Sequence, residues 1–368
     1  MGKRFQWKIG GKRFDMQSGK TGENKPITIY DIAKEAQVSP ATVSRVLTNS
    51  AKVRPEKRDK VLALIAKYNF KPNAMAKGLA DTKSKIIGII AADIRNPFYA
   101  ELFVCCEQAA KEAGYTVMLS NCMNDTAQEE WLLDKMQERQ ADAIIQIGGR
   151  VDDLLSNMEY VEKVNQILNT TPVVITGKLD GTKCHMVRID SMKAMELLME
   201  HLLSLGHKKI ALLGGDMGVF STYEKLVQYK QMLTQNRIPF DPELIMSGSY
   251  NEESGYELMN RMFEKGVIPT AVVAINDFAA AGVMRSIQEH GLRIPEDISL
   301  VSYDNTFIAQ LMIPKLTTID YNYKEFGKKL VKTAIDAIEG REGEILQTVT
   351  PVLIVRESSG QASQVALS

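Results

Sequence analysis

From residue 85 onward, short runs of Val, Ile, Leu and Ala alternate with longer stretches in which apolar residues recur every three or four positions. The runs at 86–92, 115–121, 143–147, 173–176, 210–214, 271–275 and 299–303 predict β-strands. They are continuously apolar rather than alternating, so they belong in parallel sheets covered on both faces. The stretches of ~10–18 residues between them predict helices, joined to the strands by right-handed crossovers. About 275 residues of this pattern exceed one core, which predicts two doubly wound lobes. Such lobes bind ligands beyond the carboxyl ends of their strands. Those ends carry Asp93, Asn121, Asn276, Asp277, Asp304 and Asn305.

Residues 26–71 follow a helical period instead. Thr28 and Asp31 have the spacing of a capping box, and Ile27 and Ile32 flank it as a hydrophobic staple. Ile29, Ile32, Ala33 and Ala36 then share one face. A break at Gln37-Val38-Ser39 follows, with Ser39 as N-cap and Pro40 at the first position of a second helix. Val43, Val46 and Leu47 form its apolar side. Pro55 opens a third helix with Val61, Leu62, Ile65 and Tyr68 expected inward, although Arg54 is a poor capping residue. Residues 72–84 read as a short helix with its linker. Residues 1–25, Gly-rich and without periodicity, read as a disordered basic arm, and 359–368 as a flexible tail. The expected organisation is a small all-α helix-turn-helix head at 26–71, a hinge at 72–84 and an α/β body at 85–358.

Of the 368 residues, 45% are hydrophobic and 24% charged, an ordinary globular balance. No apolar run reaches the ~18 residues of a membrane helix. The opening residues lack the ~7–15-residue apolar core of a secretion signal, so a cytoplasmic protein is expected. Cys105, Cys106, Cys122 and Cys184 show no zinc spacing and read as reduced thiols. His185, His201, His207 and His290 show no metal spacing, and no GxxxxGK[ST] loop is present. No metal, cofactor or catalytic role is expected. Charge changes the picture. Residues 1–85 hold 19 Lys and Arg against 7 Asp and Glu, whereas residues 86–368 hold 26 against 38. A basic head on an acidic body points to a polyanion partner for the head alone.

Two short helices joined by three residues, in the most basic part of the chain, fit a helix-turn-helix. The second helix of that motif lies in the major groove with its N-terminal residues toward base edges. Those residues are Pro40, Ala41, Thr42, Ser44 and Arg45. Arg45 can pair with guanine in bidentate fashion or clamp a phosphate, and Ala41 and the Thr42 methyl can touch thymine methyls. The segment 72–80 could form a helix of only ~8 residues from an Asn73 cap, too short to persist without packing. Its Leu79 is either an exposed apolar residue of a linker or a wedge of the kind that enters the minor groove.

The run Thr28-Ile29-Tyr30-Asp31-Ile32-Ala33, and Val38-Ser39-Pro40-Ala41-Thr42-Val43-Ser44-Arg45-Val46-Leu47 after it, resembles the LacI/GalR family of bacterial repressors. So does the 72–80 segment. The likeness continues through Asp93-Ile94-Arg95-Asn96-Pro97-Phe98-Tyr99, Gly206-His207, Pro269-Thr270-Ala271, Asn276-Asp277, Tyr303-Asp304-Asn305-Thr306 and Pro314-Lys315-Leu316-Thr317-Thr318. It spans residues 26–357 and looks most like the catabolite-control and sugar-regulator branch.

The resemblance implies a homodimeric repressor on a palindromic double-stranded operator. It implies two lobes of periplasmic-binding-protein type that hold a sugar or sugar-related effector between them. Thr28, Tyr30, Ser39, Pro40, Ala41, Thr42, Ser44 and Arg45 would face DNA, with Asn73, Ala76 and Leu79 of the hinge at the operator centre. Asp93, Phe98, Tyr250, Asn276, Asp304 and Tyr321 would line the effector pocket. Lys225 stands where the family commonly has an arginine, and Gly177 where it commonly has an aspartate. Lys keeps the charge but loses the bidentate fork. These departures leave room for a smaller, phosphorylated or acidic effector, or for none. Dimerisation is expected through N-lobe helices such as the one after Pro97, and the heptad-free tail gives no coiled-coil tetramer. The competing readings are a solute-binding protein for transport, which the basic head argues against, and an enzyme, for which no nucleophile–base pair is visible.

Overall fold

The computed structural model describes residues 27–48, 53–70 and 83–363. The chain divides into two compact units, Met1–Thr82 and Lys83–Ser368. The basic arm, the hinge residues Asn73, Ala76 and Leu79, and the last residues of the tail lie outside the described residues.

The head contains α1 (Ile29–Ala36), α2 (Pro40–Thr48) and α3 (Pro55–Lys67). The capping box forms: Thr28 N–H donates to the Asp31 carboxylate at 2.8 Å, and Asp31 N–H donates to the Thr28 hydroxyl at 3.3 Å. Gln37 turns the chain through a left-handed conformation at φ 55°. Ser39 then accepts Thr42 N–H at 3.2 Å and starts α2. Ile32, Ala33, Ala36, Val43, Val46 and Val61 make the core, with Leu64, Ile65 and Phe70 against it. Leu62 does not point inward; it is 44% exposed. Positions 61, 64, 65 and 68 share a helical stripe, and 62 is turned off it. Lys67 Nζ and Tyr68 Oη donate to the Glu35 carboxylate at 2.8 and 2.7 Å, tying α3 to α1. Arg54 supplies no side-chain cap to α3.

In the body the first lobe is built from β1 (Ile86–Ala91), α4 (Pro97–Glu112), β2 (Thr116–Asn121), α5 (Thr126–Glu138), β3 (Ala143–Ile147), α6 (Met158–Leu168), β4 (Val173–Ile175) and β5 (His185–Ile189). The second contains α7 (Ser191–Ser204), β6 (Ile210–Leu213), α8 (Phe220–Gln235), β7 (Ile245–Met246), α9 (Glu252–Glu264), β8 (Ala271–Ala274), α10 (Asp277–Glu289), β9 (Ser299–Asp304), α11 (Phe307–Leu311) and β10 (Thr317–Asp320). The chain then returns to the first lobe with α12 (Tyr323–Ile338) and β11 (Leu346–Val349), and ends in the second with β12 (Val352–Ile354). The sheet orders are β11-β5-β4-β3-β1-β2 and β12-β10-β9-β8-β6-β7. Pairing is parallel throughout, except that β12 runs antiparallel to β10.

The continuous apolar runs have the cause expected of them. Ile87, Ile89, Ala143 and Ile145 face α4 and α12, whereas Ile90, Ile144 and Val173 face α5 and α6. Successive side chains go to opposite faces, and both faces are covered. The second lobe repeats this, with Leu213, Val272 and Leu300 toward α9 and α10, and Leu212, Val273 and Val301 toward α7 and α8. Helices α9 and α10 approach so closely that a Cβ on Gly282 would lie 1.9 Å from the Glu252 carbonyl oxygen. No helix among the described residues is long and apolar enough to cross a membrane.

Candidate functional site

On the head, the residues expected to face DNA divide by what they already do. The Thr28 and Ser39 hydroxyls are engaged in caps, and Thr42 Oγ1 lies 2.9 Å from Ser39 Oγ. These residues set where the two helices begin. Tyr30 is 70% exposed, and Pro40, Ala41 and Arg45 are exposed beside the half-buried Thr42 and Ser44. Val43 and Val46 anchor the opposite side of α2 in the core. The free face of α2 therefore presents one cation, Arg45, among small side chains. That is the composition a helix needs to approach base edges closely.

In the body, each sheet reverses its strand order once, between β1 and β3 and between β6 and β8. These are the switch points where open α/β sheets hold ligands. A cleft of about 840 Å³ lies there. Asp93, Phe98, Lys225, Tyr250, Asn276, Asp304 and Tyr321 all line it. Asn121 and Asp277 do not: Asn121 accepts Ile94 N–H at 3.2 Å. Asp277 is buried and takes hydrogen bonds from Ser302, Thr306 and Thr318.

The lining residues differ in what they have left to offer. Asp93 is held by a two-point ion pair to Arg95, whose guanidinium keeps the carboxyl below its ordinary range. Asn276 caps α10 through Ala279 N–H at 2.8 Å and donates to the Tyr250 carbonyl at 3.0 Å. Tyr250 Oη accepts Asp216 N–H at 3.3 Å and lies 2.8 Å from Thr222 Oγ1. Phe98 meets Tyr321 edge-on, with centroids 6.1 Å apart, where the chain crosses between lobes.

Lys225 and Asp304 are different. Each is 6% exposed, and neither side chain makes a hydrogen bond with the described residues. The Lys225 ammonium lies 4.7 Å from the Tyr303 ring centroid and faces Asp304 and Asp152. Burial lowers the Lys225 amine and those carboxylates draw it back up. Burial and Asp277 push the Asp304 carboxyl well up, against the pull of Lys225. Asp304 also sits at φ 100°, a conformation an L-residue adopts only under constraint.

Several lining residues carry no signal that the strand-end reading followed. The turn after β3 brings Asp152 to the first turn of α8 in the other lobe. Ser221 Oγ donates to Asp152 Oδ2 at 2.7 Å and Ser221 N–H to Oδ1 at 3.4 Å. The N-cap residue of α8, Val219, has no capping side chain, so Asp152 caps that helix from across the cleft. Leu154 N–H donates to the Gly218 carbonyl at 2.7 Å, and Asp153 and Val219 form an antiparallel bridge. Gly177 packs under this turn. A Cβ there would lie 1.9 Å from the Val151 carbonyl oxygen, so backbone fills the space an aspartate would need. Among the described residues, no group of three or more His, Cys, Asp and Glu is placed to hold a metal ion.

Comparison with known proteins agrees with this layout. Residues 28–73 match the bacterial regulatory proteins of the lacI family, and residues 199–359 match a periplasmic binding protein-like domain. The chain is 36% identical to catabolite control protein A of Priestia megaterium over 295 residues, 80% of this chain and 87% of that protein. Among solved structures it is similar to the lac repressor dimer bound to operator and the anti-inducer ONPF. That likeness has 28% identity and a TM-score of 0.81, covering 91% of this chain and all of that one. It is also similar to a LacI family transcriptional regulator from Enterococcus faecium with bound ribose, at 25% identity and a TM-score of 0.66, covering 76% of this chain and all of that one. A helix-turn-helix head, a two-lobed body and these likenesses together establish that the chain belongs to the LacI family of bacterial regulatory proteins, near its catabolite control protein A branch.

Proposed function

We propose that the chain is a homodimeric, sequence-specific transcription repressor whose affinity for a twofold-symmetric operator is set by a sugar-like effector in the cleft. The observation that carries the reading is one chain holding both parts. It has a head that presents Arg45 on a bare helix face, and a body whose cleft keeps the buried Lys225–Asp304 pair without side-chain hydrogen bonds among the described residues. Arg45, Ala41, Thr42, Ser44 and Tyr30 meet the duplex, and Thr28, Ser39 and Pro40 fix the helices that carry them. Asn73, Ala76 and Leu79 order as a hinge helix on DNA, with Leu79 as the minor-groove wedge. Asp304 and Lys225 bind ligand hydroxyls, Phe98 and Tyr321 cover an apolar face, and Asp93, Tyr250 and Asn276 shape the wall. The protein binds and does not turn its ligand over, and it works in the cytoplasm beside the chromosome. A transport role has no use for the basic head.

The test is capture of genomic fragments by the full chain. Retained fragments are expected to share an inverted repeat, each bound by two protomers. Equal retention of all fragments contradicts the reading.

A further inference from the structure

We propose that the cleft takes an amine-bearing hydroxylated ligand, its ammonium lodged between Asp153 of one lobe and Asp216 of the other, and that it rejects phosphate esters. This rests on the cleft being the effector site and adds the charge of what enters it.

The cations lining the cleft are all engaged. Arg95 grips Asp93. Arg150 pairs with Glu130 at 2.7 Å and lies over the Tyr160 ring. Arg188 lies 3.9 Å from Glu224 and over Phe220. Lys225 faces Asp152 and Asp304. An anion entering here must break one of these arrangements.

Backbone donors are engaged as well. Helix N-termini crowd the carboxyl ends of such sheets and ordinarily receive phosphates. Here α4, α5, α7, α9 and α10 are capped by their own Asn96, Asp125, Asp190, Asn251 and Asn276. The start of α8 is capped by Asp152 from the opposite lobe. At each of these helix starts one N–H that a phosphate would use is already bonded, three of them to the lining Asn96, Asn251 and Asn276 and one to the lining Asp152 carboxylate.

Carboxylates remain in excess. The Asp153–Val219 bridge and the Leu154–Gly218 hydrogen bond draw Asp153 and Asp216 together across the seam between lobes. Among the described residues the exposed Asp216 carboxylate accepts only Gly218 N–H, at 2.7 Å, and the Asp153 carboxylate accepts no hydrogen bond. Arg150 is the cation that faces Asp153, and it is tied to Glu130. Burial pushes the Asp153 carboxyl up, Arg150 opposes that push, and the Asp216 charge adds a smaller one in the same direction as burial. An ammonium placed between the two carboxylates relieves their repulsion. The buried Asp304 carboxylate, which accepts no hydrogen bond among the described residues, then takes a hydroxyl deeper in the same cleft. At about 840 Å³ the space suits a small sugar.

The experiment is calorimetric titration of the full chain with three glucose derivatives (glucose, glucosamine, glucose 6-phosphate) and the matching galactose set. In at least one series the amine is expected to bind about tenfold tighter than the parent sugar, with no heat from the phosphate ester. D153N and D216N should each reduce amine affinity about tenfold more than parent-sugar affinity. If neutral sugars bind but the amine gains nothing, if the phosphate ester binds as well as its parent, or if the advantage survives both substitutions, the inference is overturned and the effector cleft stands. If no compound binds, both are overturned.

Discussion

Arg45 and Asp152 show how single residues take meaning from their surroundings. Arg45 is exposed on a helix whose other side is core, and it forms no ion pair with the described residues. A bidentate arginine–guanine contact contributes about 1–3 kcal/mol of discrimination. Arg45→Ala is therefore expected to weaken operator binding far more than binding to random duplex, measured by fluorescence anisotropy at one salt concentration. Equal losses on both would make it a phosphate contact only. Asp152 illustrates burial. Its carboxyl is pushed up to about 6 from 3.8, chiefly by loss of solvent, and Asp277 is pushed equally far. Between about pH 4 and about pH 6 the folded chain holds protons that the unfolded chain has released, so these groups make stability fall as pH rises through that window. Asp152→Asn is expected to reduce the fall in the unfolding free energy of the protein by about 1–3 kcal/mol, read by urea denaturation at either end of the window. A fall identical to the parent's would mean that the carboxyl is not buried as described.

At the scale of elements, what the sequence disclosed follows from polarity. The buried strands β1, β3, β6 and β8 stand out because both faces are apolar. β3 keeps the expected bounds, whereas β1, β6 and β8 end one residue early, since their apolar runs continue into the loops. The strands β5, β7, β10, β11 and β12 escaped notice. β11 and β12 lie at sheet edges and are partly exposed, and the segment His185–Ile189 mixes charge with apolar residues. β10 is buried but begins Thr317-Thr318, whose hydroxyls bond to Ser359 and Asp277. A polar strand satisfied by distant partners has no local hydrophobic signature. The same limit hid Asp152: capping a helix in another lobe leaves no trace at ±4 residues. The cleft-lining Asp93, Lys225 and Asp304 were legible because they lie at strand ends or at family-aligned positions, whereas the filling of the Gly177 site by Val151 backbone was not. The hinge is tested at this scale. Leu79→Ala is expected to reduce both operator affinity and DNA bending while the circular dichroism of the body is unchanged. Unaltered bending would remove the wedge.

Across the whole molecule, operator binding and ligand binding share one equilibrium in the proposed function. Asp152–Ser221, Leu154–Gly218 and Asp153–Val219 fasten the lobes to each other around the cleft. A ligand shifts such an equilibrium only by its differential affinity for the two arrangements. In the proposed function the N-lobe arrangement in turn sets operator affinity. Lys225→Met, which leaves Asp304 without its cation, is expected to weaken ligand binding and to shift operator affinity even with no ligand present. The decisive measurement is reciprocal. Operator affinity is titrated with and without the tightest-binding sugar, and sugar affinity with and without operator. The same factor is expected in both directions, about 5- to 150-fold. Tight binding of both ligands with no change in either affinity would contradict it.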